Sequence, residues 1–145
     1  MNMKTDLVII AQKPKKTSDN GVTLPVRPGS SGQKLMEMMA VSQEFFEKEI
    51  TKINVIPEAD VEVSRGIFYA SNLIPILRDR RCVLLGPCVA AMFNLRRSDY
   101  DFAEWFEHEN STFSVIPHPS GMNRLYNDKN FKNRISEFLR ESISQ

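Results

Sequence analysis

Four short apolar runs stand at roughly even intervals along the chain, and we expect each to form a β-strand. They cover residues 7–11, 53–56, 82–85 and 113–116. Each run is nearly continuous, whereas a strand with one face in water alternates apolar and polar residues. A continuous run is typical of a strand buried on both faces, as in a parallel sheet. The pattern therefore predicts a four-stranded parallel sheet.

The segments between these runs have helical spacing. Leu35, Met38 and Met39 recur at i, i+3 and i+4, and Ser31 is the predicted N-terminal cap. A second helix is predicted after Ser64, with Pro75 expected to kink or shorten it. Its apolar set is Ile67, Phe68, Leu73, Ile74 and Leu77.

Two further helices follow the third and fourth strands. Gly86-Pro87 begins one of them, since proline suits the first helical position. The clearest helix covers residues 128–143, with Asp128 as its cap. Its apolar stripe consists of Phe131, Ile135, Phe138 and Leu139. Strands that alternate with helices predict a three-layer α/β/α domain, and 145 residues suit a single domain over 1–145.

Composition narrows the class of protein. With 41% hydrophobic and 26% charged residues, the chain is that of an ordinary globular protein rather than a disordered one. Its two cysteines, Cys82 and Cys88, are too few for a disulfide framework, and no Cys/His cluster has zinc or iron–sulfur spacing. We therefore expect no metal or other cofactor. The absence of a signal-peptide pattern and of a long apolar stretch predicts a cytoplasmic protein with no membrane contact.

Charge is unevenly distributed although the net charge is only +1. Six basic residues against two acidic ones lie in the first 34 positions, which is a weak sign of phosphate contact. The alternative is that these are solvated loop lysines. The stretch 12–32 is rich in Pro, Gly, Ser and Lys and leaves the first strand, so we expect it over the carboxyl edge of the sheet.

The end of the fourth strand carries the most informative residues. His118 follows the strand between two prolines, and Ser120, Gly121 and Arg124 come directly after it. In open α/β sheets ligands bind just outside the carboxyl ends of the strands, so this segment indicates a site for a polar or anionic ligand. The alternative is an ordinary exit loop, because Pro, Ser and Gly are common loop residues.

The second and third predicted strands place further candidate residues at the same carboxyl edge of the sheet. Asn54 interrupts an apolar strand, and a buried amide needs a partner. Either neighbouring backbone satisfies it, or its donor and acceptor read the edge of a nucleobase. At the end of the third strand, 86–90 reads Gly-Pro-Cys-Val-Ala, whose backbone N–H groups would attract an anion. The same segment also allows a nucleophile elbow, with Cys88 as the nucleophile and His118 as its base; a structural Cys88 is the alternative.

The order of these segments resembles the uracil-DNA glycosylase superfamily over nearly the whole chain. Ser-Gly-Gln-Lys-Leu opens a helix, Ile-Asn-Val lies on a strand, and Val-Leu-Leu-Gly precedes a helical alanine. The most specific motif is His-Pro-Ser-Gly-Met-Asn-Arg at 118–124. The resemblance implies a compact member without the iron–sulfur cysteines, a strand order of 2-1-3-4, and a monomeric protein whose partner is DNA.

The resemblance also implies roles. Such enzymes flip a base out of DNA and hydrolyse its N-glycosidic bond. Asn54 would read the base, and His118 would stabilise negative charge on the departing base. The remaining motif residues would contact DNA, with Ser120 on a backbone phosphate, Met122 as a wedge beside Arg124, and Gly121 in the same loop. The phosphate-contacting lysines would be Lys13, Lys15 and Lys16.

The first motif departs from the family pattern. It reads Ala-Gln-Lys-Pro-Lys and lacks the acid or Asn that orients the attacking water, which leaves Gln12 as the candidate. No aromatic residue stands where one usually stacks on the base, so Leu24 or Phe45 is expected there. The sequence therefore predicts a DNA glycosylase with altered base preference. The alternative is a catalytically inactive module that binds DNA or a modified base without cleaving it.

Overall fold

A central five-stranded sheet organises the protein. The computed structural model describes residues 6–14, 22–120 and 123–144. The strands are β1 (Leu7–Ala11), β2 (Thr51–Asn54), β3 (Arg81–Leu85), β4 (Phe106–His108) and β5 (Ser111–Ile116). Their spatial order is β2-β1-β3-β5-β4. The four strands predicted from the sequence are β1, β2, β3 and β5; they run parallel in the expected order.

The expected number of strands was wrong, because β4 adds an antiparallel edge to β5. A two-residue turn joins these strands, and both of its residues, Glu109 and Asn110, have positive φ angles of 50° and 64°. Positive φ at both positions is the geometry of a tight hairpin turn. The segment 106–108 has no buried apolar run, so hydrophobic patterning did not reveal it.

Five helices flank the sheet within the described residues. They are α1 (Ser31–Met39), α2 (Gln43–Lys48), α3 (Gly66–Leu73), α4 (Pro87–Met92) and α5 (Lys129–Ser144). Short 3₁₀ turns cover Val63–Arg65, Arg97–Asp99 and Arg124–Asn127. Residues of α1, α2 and α5 pack on one face of the sheet, and residues of α3 and α4 pack on the other. The layers are therefore α/β/α, as predicted.

Successive side chains of a strand point to opposite faces of the sheet, so the protein has one hydrophobic core on each face. On β1, Leu7, Ile9 and Ala11 contact the α1/α2/α5 layer, whereas Val8 and Ile10 contact the α3/α4 layer. All five are buried, which accounts for the continuous apolar run. The carboxyl ends of β1, β2, β3 and β5 consequently meet at one edge.

Several local predictions needed correction. β2 lies two residues earlier than the predicted 53–56, although the amides of Val55 and Ile56 continue the pairing by donating to the carbonyls of Ala11 and Gln12. Ser30, not Ser31, caps α1, because its hydroxyl accepts from the Gln33 amide at 3.1 Å.

The second helix is shortened at Pro75 as predicted, since it ends at Leu73. Its predicted apolar set was partly wrong, because Ile67 and Phe68 are more than half exposed. Helix α2 was not predicted at all. The Asp128 cap of α5 is confirmed, since its carboxylate accepts from the Asn130 amide at 2.9 Å. No helix in the described part of the chain is both long and apolar enough to cross a membrane.

Candidate functional site

A cavity of about 770 Å³ opens at the carboxyl edge of the sheet. The ends of β1, β2 and β3, the 22–32 segment and His118 form its walls. Parallel strands deliver their C-terminal residues to one edge, so residues distant in sequence meet here. Five residues predicted for the site line this cavity together: Gln12, Lys13, Leu24, Asn54 and His118.

His118 lies directly against the turn that follows β3. Gly86 occupies that turn with a φ of 96°, which side-chain-bearing residues rarely adopt. Its amide donates to the Ile116 carbonyl at 2.8 Å, and a Cβ at Gly86 would stand 3.5 Å from the Cβ of His118. The glycine thus sets the β3 turn and the histidine side by side.

The backbone around His118 is held by three hydrogen bonds. The Asn123 side-chain amide donates to the His118 carbonyl at 3.0 Å, and the Ser120 backbone amide donates to the same oxygen at 2.9 Å. The Tyr126 hydroxyl donates to the Pro117 carbonyl. Burial raises the pKa of Tyr126 well above its ordinary value, so this donor stays protonated through the physiological range. These contacts fix the position from which His118 projects.

Asn54 is the last residue of β2 and pairs with Ala11 in the sheet register. It is half-buried, and its side chain lines the cavity. Its carboxamide makes no hydrogen bond to any residue in the described ranges. One donor group and one acceptor are therefore available to a ligand, as edge recognition of a base requires.

Gln12 is anchored at both ends. Its carbonyl accepts from the Ile56 amide at 2.9 Å, and its side-chain Nε2 donates to Cys88 Sγ at 3.0 Å. Cys88 is exposed near the start of α4 and lines the same cavity. With the nitrogen bonded to the thiol, Oε1 is the free end of the carboxamide among the described contacts. A carbonyl oxygen in this position can accept a hydrogen bond from water.

Lys13 is partly buried, and its ammonium is bound to the protein itself. Its ammonium donates to the Val61 carbonyl at 3.0 Å, in a partly buried contact across 48 residues. This bond ties the loop after β2 to the rim of the cavity. An ammonium has three donors, so further contacts remain open to it.

The 22–30 segment forms the wall opposite the strand ends. Leu24 has a φ of 53°, and its carbonyl lies so close to α1 that a Cβ at Gly32 would stand 2.3 Å from it. Gly32 therefore permits the segment to pack on the helix. Phe45, the other candidate for stacking on a base, lies on α2 and packs with the core of that layer instead of lining the cavity.

The charged residues described in the lining of the cavity are all positive. Lys13 and Arg27 contribute positive charge, and none of the described lining residues is Asp or Glu. Within the described residues no group of three His, Cys, Asp or Glu side chains could hold a metal ion. The cavity therefore favours a polar or anionic ligand and offers no described carboxylate as a general base.

The predicted DNA-contacting residues are less closely grouped. Ser120 lines a second cleft, next to the cavity, and Arg124 is exposed at the start of the 3₁₀ turn, outside both. Lys15, Lys16, Gly121 and Met122 lie outside the described residues. Asp19 also lies outside the described residues.

Sequence patterns missed the supporting residues. Asn123 lies inside the 118–124 motif, but its bond to His118 depends on a tight turn that spacing alone does not predict. Tyr126 and the Cys88–Gln12 contact depend on tertiary packing. The one available signal was that Asn123 is a polar residue inside the most specific motif.

A search of curated proteins found no match to the chain. The family model of the uracil DNA glycosylase superfamily matches residues 1–140. This match spans almost all of the chain and includes every residue of the cavity described above. The chain belongs to the uracil DNA glycosylase superfamily.

Proposed function

We propose that the protein is a DNA glycosylase that takes a uracil-type or modified base into the 770 Å³ cavity and hydrolyses its N-glycosidic bond. The observation that carries the proposal is the meeting of Asn54 and His118 at one cavity in a chain of this superfamily. Glycosylases must extrude the target base, and a cavity of this size suits a small flat ligand.

Base recognition is assigned to Asn54. Its carboxamide presents a donor and an acceptor in one plane, which matches the paired acceptor and donor on a pyrimidine edge. The position at the end of a paired strand limits its movement. Leu24, on the opposite wall, supplies an apolar contact for the face of the base.

Bond cleavage is assigned to His118. When the bond between C1′ and the base nitrogen breaks, its electron pair leaves with the base, and negative charge spreads to the base oxygens. An imidazole N–H aimed at such an oxygen stabilises that charge as it develops. The water oxygen bonds to C1′ and loses a proton to solvent, and the base anion takes a proton. The products are an abasic deoxyribose and the free base.

Orientation of the water is assigned to Gln12. Its Oε1 can accept a hydrogen bond from the attacking water, whereas an amide cannot remove the proton as a carboxylate would. The rate is therefore expected to depend more on stabilisation of the departing nucleobase than on general-base removal of the water proton. The Cys88 thiol holds the other end of the carboxamide.

A second candidate function follows from the lack of Asp or Glu among the described lining residues. Without a carboxylate, the same cavity suits a module that binds a flipped base or a DNA end and leaves it intact. This candidate uses Asn54 in the same way but gives His118 a binding role only.

One experiment separates the two. The protein is incubated with single-stranded and duplex oligonucleotides carrying uracil, hydroxymethyluracil and other modified bases, and abasic sites are then cleaved with alkali. A glycosylase yields a shortened product for at least one base. Tight, base-dependent binding with no product across the panel supports the module, and neither binding nor product contradicts both.

A further inference from the structure

Beside the base cavity lies a second cleft, of about 440 Å³, between helices α1 and α5. The two are adjacent at two points. His118 lines the cavity and the next residue, Pro119, lines the cleft; on α1, Ser31 lines the cavity and Lys34, one turn later, lines the cleft. A chain leaving the cavity past His118 would therefore reach this cleft directly.

Cations come from both walls of the cleft. Lys34 extends from α1 and Lys132 from α5, and neither makes an ion pair with any described carboxylate. A third cation, Arg140, follows Lys132 by about two helical turns on the same face of α5. Its Nε donates to the Met38 carbonyl at 3.2 Å. Glu37 is the one described carboxylate in the lining. Among the described lining residues, three cations against one anion give the cleft a net attraction for negative charge.

The neutral part of the lining is rich in hydroxyl and amide groups, which come from Ser120, Asn123, Asn127, Asn133 and Ser136. Such groups bind phosphate and sugar oxygens. The one aromatic residue of the lining, Tyr126, is half-buried, and its hydroxyl is engaged with Pro117. The lining therefore suits a sugar–phosphate backbone better than a second base.

The size of the cleft agrees with this ligand. The volume of about 440 Å³ is more than ten times the roughly 30 Å³ that one water occupies in the liquid, so the cleft has room for several polar groups. We propose that the cleft between α1 and α5 binds the backbone phosphates of the DNA strand next to the flipped nucleotide. This inference rests on the proposed function and specifies the path of the DNA on the protein.

The test is the salt dependence of DNA affinity in the full chain. Lys34→Gln and Lys132→Gln are compared with Lys48→Gln, which removes the same charge from exposed α2, where Lys48 pairs with Glu44. Each cleft variant should reduce the slope of log affinity against log salt by about 0.9 on duplex DNA, or about 0.7 on a single strand. Glu37→Gln should tighten binding at low salt. Cleavage at saturating DNA should stay at the parent rate in the Lys48→Gln control, which lies outside the cleft.

The outcomes are distinguishable. Cleft variants with the same slope as Lys48→Gln overturn the cleft proposal, even if the parent protein cleaves DNA. Reduced slopes without cleavage of any base support the cleft and contradict the glycosylase. If the lysine variants weaken binding of inorganic phosphate alone and leave the DNA slope unchanged, the cleft is a free-anion site and the proposal is wrong.

Discussion

The side-chain nitrogen of Gln12 donates to the sulfur of Cys88 at 3.0 Å, across 76 residues of sequence. This contact joins the end of β1 to the first turn of α4 at the rim of the 770 Å³ cavity. It directs the carboxamide oxygen of Gln12 away from the thiol. In the proposed mechanism, the orientation of this amide decides whether Gln12 holds the attacking water.

Cys88→Ala should lower the cleavage rate by removing the acceptor that holds Gln12. The net value of such a hydrogen bond is about 0.5–1.5 kcal/mol, so the loss should be roughly two- to tenfold under single-turnover conditions. Cys88→Ser keeps an acceptor and should retain most of the rate, whereas Gln12→Ala should lose more than Cys88→Ala. DNA affinity should be the same in all three variants.

The nucleophile alternative for Cys88 makes a different prediction in the same assay. If the thiolate attacked the substrate, both Cys88→Ala and Cys88→Ser would abolish cleavage. Equal and complete loss in the two variants would therefore contradict the positioning role of Cys88.

The two cysteines should differ in reactivity. Burial raises the pKa of the Cys82 thiol from 9.0 to about 12, whereas Cys88 is exposed. Because the thiolate is the reactive form, a thiol reagent at about pH 8 should modify Cys88 alone in the native protein. Mass spectrometry should find one adduct in the native protein and two after unfolding. Rapid modification of Cys82 in the native state would contradict the buried position of β3.

Asn54→Ala should relax the choice of base. A lost edge contact is worth about 1–3 kcal/mol of discrimination, and the phosphate contacts are untouched. Competition between a cleaved base and a rejected base in otherwise identical oligonucleotides measures this. Ile53→Val, on the same strand, serves as the control and should leave the preference intact. Unchanged discrimination in Asn54→Ala would remove Asn54 from base recognition.

Much of the fold followed from the sequence because its strands are buried on both faces. Continuous apolar runs such as Leu7–Ala11 are buried on both faces only between two helical layers. The direction and layering of the four strands were therefore predictable, and their positions were predicted to within two residues. Strand β4 was not predicted, because its segment carries no apolar run of its own. Its pairing depends on the Glu109-Asn110 turn and on β5.

The position of Asn54 and His118 at one cavity could also be predicted from the sequence. Asn54 and His118 stand at strand ends, and a parallel sheet brings such residues to the same edge irrespective of the loop conformations. Ser120 was expected beside them but lines the neighbouring cleft, because its amide turns back onto the His118 carbonyl. Phe45 was a candidate for the cavity but packs in the core, since amphipathic spacing does not say which neighbour a face will meet.

Tyr126→Phe should lower stability and flatten its dependence on alkaline pH. The variant leaves the Pro117 carbonyl without this donor, which costs about 1–3 kcal/mol of unfolding free energy in a buried setting. Burial raises the pKa of the folded-state hydroxyl above 10.0, so in the parent protein its contribution is complete below pH 10. It falls as the pH rises from there toward the folded-state pKa.

Denaturant unfolding of the parent protein and Tyr126→Phe between pH 7 and 11 measures this effect. The difference between the two proteins should be largest below pH 10 and should shrink above it. A constant difference over the whole range would mean that the hydroxyl does not titrate differently in the folded and unfolded states.

The proposed role of His118 is to stabilise charge on the departing base, and the decisive measurement is the single-turnover cleavage rate of His118→Ala. The substrate is the base that the parent protein cleaves best, at saturating protein, with DNA affinity measured separately. We expect a rate about 10²–10³-fold below that of the parent, with affinity nearly unchanged, because the lost interaction forms only as the bond breaks. Cleavage by His118→Ala at the parent rate would contradict it.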